Sequence, residues 1–320
     1  DLKHIIYNTL LDNYAGNPKA YIVSHPNILL EMGALFGVSS RVPITVNQRI
    51  NSDNENEFYY QYKSGDKTIV SIVTQNKDGQ TVKPIFLHNL DQNDMVLLLA
   101  TLAFRKANFI KNKMIRVYFK DMAKYLNKTV CGKTYNFIKE RYEKLFNRKF
   151  EIQYIKGGRK VEYKIRFFQY MKFDIDDKYY DRSYVDVQVS DFIAEQLIDM
   201  QTTNMYRNQL MSFTNPVAKL IMFPLQRHRL DCYIHNQDYR KTYSYDYFAS
   251  NILFPPKNSK KQNIKMLIEA FEEFKKQNII IHSVEYNDKK ETFDVRFIPL
   301  SNIEIQDFIY NNDKIEKIEA

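Results

Sequence analysis

Residues Asp121 to Lys172 hold 14 Lys and Arg against 5 Asp and Glu, while the remainder of the chain is balanced at 33 against 33. The whole formal surplus of +9 therefore sits in one 52-residue stretch. That stretch also has a readable order. Phe119, Met122, Ala123 and Leu126 fall at i, i+3, i+4 and i+7, the mark of one buried face on a first helix. Asn127 to Gly132 makes a turn, and a second helix continues to about Asn147 with Tyr135, Ile138, Tyr142 and Leu145 inward. Phe150 to Ile155 and Lys160 to Phe168 read as strands joined across Gly157-Gly158, whose glycines permit the positive φ of a tight hairpin. A helix-turn-helix flanked by a basic hairpin is built to enter the groove of a polyanionic duplex.

At 320 residues the chain has room for two or three domains, and an apolar share of 44% with 14% aromatics places it among folded proteins rather than disordered ones. Its two cysteines, Cys131 and Cys232, form no disulfide framework, so a reducing cytoplasm is expected. The most apolar run, Met95 to Phe104, is about half the length needed to cross a bilayer and is followed by Arg105 and Lys106, so no membrane span is expected. The chain opens on Asp1 without an initiator Met, as expected of a fragment of a longer protein.

Residues 1–50 read as an irregular extension, with a helix at Asn27 to Phe36 interrupted by Gly33 and closed by Gly37. Phe58 to Lys63 and Thr68 to Gln75 form a hairpin around Ser64-Gly65-Asp66, and Thr81 to Leu87 offers a third strand. Asp91 reads as an N-cap, with Asp94 in the first turn of an apolar helix, and a short strand follows at Ile115 to Tyr118. After a polar connection at Asp174 to Arg182 come a strand at Tyr184 to Val189 and a helix capped by Ser190. A second unit then repeats the order of the first. It has a helix from about Asn215 to Leu230, a short helix near Tyr245 to Asn251, a Pro255-Pro256 turn and a long helix from about Ser259 to Asn278. A hairpin of Ile279 to Tyr286 with Glu291 to Ile298 closes it. The expected fold is α+β: two tandem winged helix-turn-helix domains behind an extension that contains a β-hairpin. Expected boundaries are 1–90 for the extension, 91–180 and 181–300 for the winged helices, and 301–320 for a tail with one last helix.

On a helical wheel the second helix of the first unit carries Lys133, Asn136 and Glu140 opposite its apolar side, with Lys139 and Lys144 adding charge. Asn pairs bidentately with adenine, Lys donates to guanine and Glu accepts from cytosine. Lys128 and Thr129, in the turn ahead, suit phosphate, and Lys156, Arg159 and Lys160 flank the wing glycines. In the second unit Leu267, Ala270, Phe271 and Phe274 face inward, while Gln262, Lys265 and Glu269 face outward behind Lys257, Lys260 and Lys261. The bland alternatives are a solvated basic helix in the first unit and a packing or dimerising module in the second.

Enzymatic readings are thinner. His228, Cys232 and His235 have a spacing a metal uses, but no matching ligand occurs elsewhere; Asp174, Asp176 and Asp177 resemble a Mg²⁺ set but lie in a polar connection where acids are ordinary. The sequence contains no His-x-His, no His-x-x-Arg and no Gly-x-x-x-x-Gly-Lys-Ser/Thr phosphate loop. No catalytic residue, metal or cofactor is expected.

The tandem arrangement over about residues 91–300, with Val185-Asp186-Val187-Gln188-Val189-Ser190-Asp191-Phe192 and Asn215-Pro216-Val217-Ala218-Lys219-Leu220-Ile221, resembles the initiator proteins of iteron-containing theta plasmids. Initiators of secondary bacterial chromosomes look related. The resemblance is one of pattern, without a diagnostic short motif. It implies a non-enzymatic binder of double-stranded DNA whose two helices enter successive major grooves of directly repeated origin sites, assist opening of nearby DNA and recruit host helicase or initiator proteins. It also implies homodimers as a second state. A transcription repressor or partition protein with the same two heads, and a metal-dependent nuclease or primase, are the competing readings.

Overall fold

The computed structural model of the protein describes residues 22–40, 46–50, 55–76, 89–106, 109–176 and 180–310. In chain order the first part comprises β1 (Ile22–Pro26), α1 (Asn27–Glu31), β2 (Asn47–Ile50), β3 (Glu55–Ser64), β4 (Lys67–Asn76), α2 (Gln92–Ala103), α3 (Phe109–Asn112), β5 (Met114–Tyr118), α4 (Phe119–Tyr125), α5 (Gly132–Phe146), β6 (Arg148–Lys156), β7 (Arg159–Arg166) and β8 (Phe168–Asp174). The second comprises β9 (Tyr184–Val189), α6 (Asp191–Ile198), β10 (Thr202–Tyr206), α7 (Arg207–Ser212), α8 (Pro216–Ile234), β11 (Arg240–Ser244), α9 (Tyr245–Ala249), α10 (Lys260–Gln277), β12 (Ile281–Asn287), β13 (Thr292–Phe297) and α11 (Asn302–Ile305). The fold is α+β, with antiparallel sheets in the orders β2-β3-β4-β6-β7, β5-β9-β8, β11-β13-β12 and β1-β10.

Helix α2 sits where the elements converge. Asp91 accepts from the amides of Asn93 and Asp94 at 2.9 and 3.2 Å, and Asp94 Oδ2 accepts from the Asp91 amide at 2.8 Å, so two acids close a reciprocal cap. From Asp94 to Ala103 every residue is buried, which explains the uninterrupted apolar run: a helix with no polar face belongs inside. It packs against β1, α5 and α8, so elements of both units share one core. No helix among the described residues is long and apolar enough to cross a membrane.

The wing of the first unit is broader than a free hairpin. β4 pairs with β6, setting Ile69 opposite Ile152 and Ser71 opposite Phe150, so the hairpin of the extension and the wing form one five-stranded sheet. Gly157 and Gly158 turn the β6–β7 ribbon with φ of 56° and 75°, as the sequence anticipates. The pairing fixes Phe150, Ile152 and Ile165 on the buried face.

Several expectations require adjustment. The helix expected over Asn27 to Phe36 ends at Glu31, because Gly33 turns the chain at φ +91° against the β3–β4 turn, where a Cβ would lie 2.7 Å from Ser64 Oγ. Ser190 occupies the N-cap of α6, but its hydroxyl makes no cap bond and donates to the Phe167 carbonyl at 3.1 Å. The strand read as Lys160 to Phe168 is two strands, β7 and β8, broken at Phe167 and lying in different sheets. The third strand expected at 81–87 lies outside the described residues.

The α2 cap also anchors α5. Arg141 Nη1 lies 2.7 Å from Asp91 Oδ1 and 2.8 Å from Asp94 Oδ1, and Lys144 Nζ lies 2.7 Å from Asp94 Oδ2. Burial draws the Lys144 ammonium below the ordinary lysine range, and the Asp94 carboxylate opposes only part of that shift. Removing the fully buried acid would leave two cations without their partner. Asp94→Ala is expected to lower the unfolding free energy by about 3 kcal/mol, read from urea denaturation.

Candidate nucleic-acid interface

Helix α5 begins after the turn of the helix-turn-helix and is amphipathic as the sequence indicates: Thr134, Tyr135, Ile138, Tyr142 and Leu145 are buried. Lys133, Asn136, Lys139 and Glu140 are exposed, as are Lys128 and Thr129 in the preceding turn. Lys128 Nζ stands 4.6 Å from the centre of the Phe137 ring, so its stem lies along the helix and its charge at the start of the outward face. Lys139 makes only a loose 4.0 Å pair with Glu143 and keeps its charge available to solvent.

The structure separates Lys144 from this group, because its ammonium is engaged with Asp94. The same holds for part of the charge surplus. Arg148 is 1% exposed and donates to Ser71 Oγ at 2.8 Å, and Lys149 pairs with Glu57 at 3.2 Å. These cations hold the first unit together and face the sheet or α2 rather than solvent. On the wing, Lys156, Arg159 and Lys160 are all exposed. The strand register places Lys156 opposite Arg159 and Ile155 opposite Lys160, so Lys160 stands on the other face of the ribbon from the first two. Ile155 itself is 67% exposed beside the tip.

The second unit repeats the geometry on α10. Ser259 Oγ accepts from the Gln262 amide, and Gln262 Oε1 accepts from the Ser259 amide at 2.7 Å, so the side chain of Gln262 serves the cap at the head of the helix. Leu267, Ala270, Phe271 and Phe274 are buried. Lys257, Lys260, Lys261, Lys265 and Glu269 are exposed. Lys260 is tied to Glu291 and sits 4.9 Å from the Tyr245 ring centre, while Lys265 and Glu269 form a 3.9 Å pair along the helix. A groove of about 710 Å³ opens between α10 and β12, lined by Lys261, Gln262, Ile264, Lys265, Ile268 and Tyr286 among others. The two isoleucines and Tyr286 were not candidates from the sequence, since single apolar residues on an outward face carry no signal.

The metal readings find little geometry. His228 Nδ1 meets the Tyr243 hydroxyl at 2.6 Å, Cys232 is buried, and exposed His235 meets the Asp231 carbonyl. Asp174 accepts from the Tyr184 hydroxyl at 2.9 Å, and Asp177 lies outside the described residues. Among the described residues no group of three or more His, Cys, Asp or Glu is gathered for a metal.

With this geometry in view, residues 85–223 match the family model described as "Initiator Replication protein, WH1". That segment is thus similar to the WH1 domain of the initiator replication proteins over less than half of the chain. The chain also aligns with crystal structures of domains 2 and 3 of RctB, one at 10% identity and a TM-score of 0.47 and another at 9% and 0.39. Both alignments cover 85% of this chain and 96% of the other. No curated protein matches. The matched segment includes α5 and the β6–β7 wing, and extends into α8.

Cys131 stands at the first position before α5, exposed, with its Sγ 3.5 Å from Thr134 Oγ1. Hydrogen bonds from the Thr134 hydroxyl and then its backbone amide hold its thiol below the usual range, whereas burial pushes the Cys232 thiol up. Iodoacetamide at neutral pH is therefore expected to alkylate Cys131 before Cys232 in the native protein, read by peptide mass spectrometry.

Proposed function

We propose that this chain is a replication initiator that binds double-stranded DNA sequence-specifically through two heads, one in residues 91–180 and one in 181–300. Directly repeated origin sites are its targets. The observation that carries the reading is the recurrence of one arrangement: a buried-faced helix whose N-terminal half presents Lys, Asn or Gln to solvent beside a hairpin. Lys133, Asn136, Lys139 and Glu140 would reach base edges from α5, with Lys128, Thr129, Lys156, Arg159 and Lys160 on phosphates. Lys257, Lys260, Lys261, Gln262, Lys265 and Glu269 would serve the second head. Lys144 is left out of this contact set because Asp94 holds it.

The bound array would promote opening of adjacent DNA and offer a platform for host helicase or initiator proteins. Homodimers would be a second state of the same chain, and the work would be done in the cytoplasm without catalytic residues. What supports these finer roles is the similarity of residues 85–223 to the initiator replication protein model.

A footprint on the DNA flanking the gene tests the reading. Direct repeats near ~20 bp, about two helical turns for two heads, support it, and a palindromic operator alone would favour a repressor. Lys133→Ala with Asn136→Ala is expected to relax base preference, each good contact being worth about 1 to 3 kcal/mol, measured by competition between matched and mismatched duplexes. Arg159→Ala is expected to weaken binding to all sequences and to flatten the salt slope by about one unit.

A further inference from the structure

Arg207 belongs to the second unit by position but is bonded to the first. Its Nε donates to the Tyr125 carbonyl at 3.0 Å, and Nη2 reaches the same carbonyl and Asn127 Oδ1, the latter at 2.9 Å. Its guanidinium also lies 4.7 Å from the Tyr125 ring centre. The acceptors are the last carbonyl of α4 and the side chain of Asn127, which ends that helix at a φ of 53°. A planar cation at a helix C-terminus satisfies carbonyls that the helix leaves open and complements the dipole. Asn127 begins the turn that delivers the chain into α5.

The segment that Arg207 starts is held as firmly at its other end. Gln277, the last residue of α10, donates to the Ser212 carbonyl at 3.1 Å. Glu273, one turn earlier, accepts from the amides of Thr214 and Asn215 at 2.7 and 2.9 Å and from the Thr214 hydroxyl at 2.8 Å. Burial lowers the Lys219 ammonium from its usual range, Glu273 opposes that shift and Lys128 adds to it, as expected where the turn, α8 and α10 come together. Residues 207–215 thus span from the turn before α5 to the final turns of α10.

We infer that residues 207–215, clamped by Arg207 on one side and Glu273 on the other, form a bracket that fixes the distance and phase between the two DNA-facing helices, and so make half-site spacing a property the protein reads. The inference rests on the proposed DNA-facing role of α5 and α10. Inserting one base pair between half-sites moves the second by about 3.4 Å and roughly 35° around the duplex, which a rigid pair of heads cannot follow without losing contacts.

The test uses the full chain and duplexes that carry the two footprinted half-sites at native spacing, with one or two base pairs added or removed, and each half-site alone. Wild type is expected to lose about tenfold or more in affinity for a one-base-pair change. Arg207→Ala and Glu273→Ala should each shrink that penalty to about threefold or less with single half-site binding unchanged, and the double variant should relax it no further. Arg207→Lys, which keeps the charge but not the fork, should resemble Arg207→Ala. Variants whose spacing profiles superimpose on wild type would overturn the inference. So would loss of isolated half-site binding in both Arg207 variants, which would make the residue a fold determinant of the first unit. A wild-type protein that binds no duplex fails at the earlier reading instead, and the two failures are told apart by the half-site controls.

Discussion

Asp94 makes three attachments from one buried carboxylate: it closes the cap of α2 through the Asp91 amide, and it holds Arg141 and Lys144 of α5. A charge this deep persists only when paired and hydrogen-bonded, and both conditions are met here. The consequence reaches the proposed contact surface, because α5 is fixed against a helix that packs on elements of both units. Tyr142 reinforces the same seam, its hydroxyl 2.7 Å from Thr101 Oγ1 of α2. The outward row of α5 is therefore presented by a helix whose inward row is tied by charge and hydrogen bond as well as by apolar packing.

The longer helices were legible because each carries a local signal, whereas the short α3 and α7 were not anticipated. Asp91, Asn215 and Ser259 all cap as their residue types predict, and Tyr135, Ile138, Tyr142 and Leu145 keep the 3.6-residue spacing of a buried face. What escaped was pairing at a distance. β10 reads Thr-Thr-Asn-Met-Tyr, without the alternation that marks a half-buried strand, since its order comes from β1 rather than from its own composition. The join of β4 to β6 is likewise invisible along the chain, because nothing local to Thr68–Val73 specifies Arg148–Gln153 as its neighbour. In the candidate interface, Lys133 and Asn136 were legible from the wheel, whereas the engagement of Lys144 depended on an acid 50 residues away.

The concentrated charge of residues 121–172 serves two purposes that a sequence count cannot separate. Arg141, Lys144, Arg148 and Lys149 bind the first unit internally, through Asp91, Asp94, Ser71 and Glu57. Lys128, Lys133, Lys139, Lys156, Arg159 and Lys160 remain exposed. Counting formal charge thus overstates the cations open to solvent, and those that stay open include the ones of the turn, the outward helix face and the wing, but also Lys124 on α4 and Lys172 on β8.

The two-stranded pairing of β1 with β10 has a bearing on how the chain is made. Thr203 meets Asn27 across 176 residues of sequence, and Ile28 takes its acceptor from Gln196. At a synthesis rate of about 5 to 20 residues per second, roughly ten to forty seconds separate the emergence of the two partners. During that interval Val23 and Leu29, both buried in the finished core, have no second-unit surface to cover them. The edge of β1 that β10 covers therefore stays unpaired until the second unit has been synthesised, so this two-stranded sheet closes late whatever the order in which the rest folds.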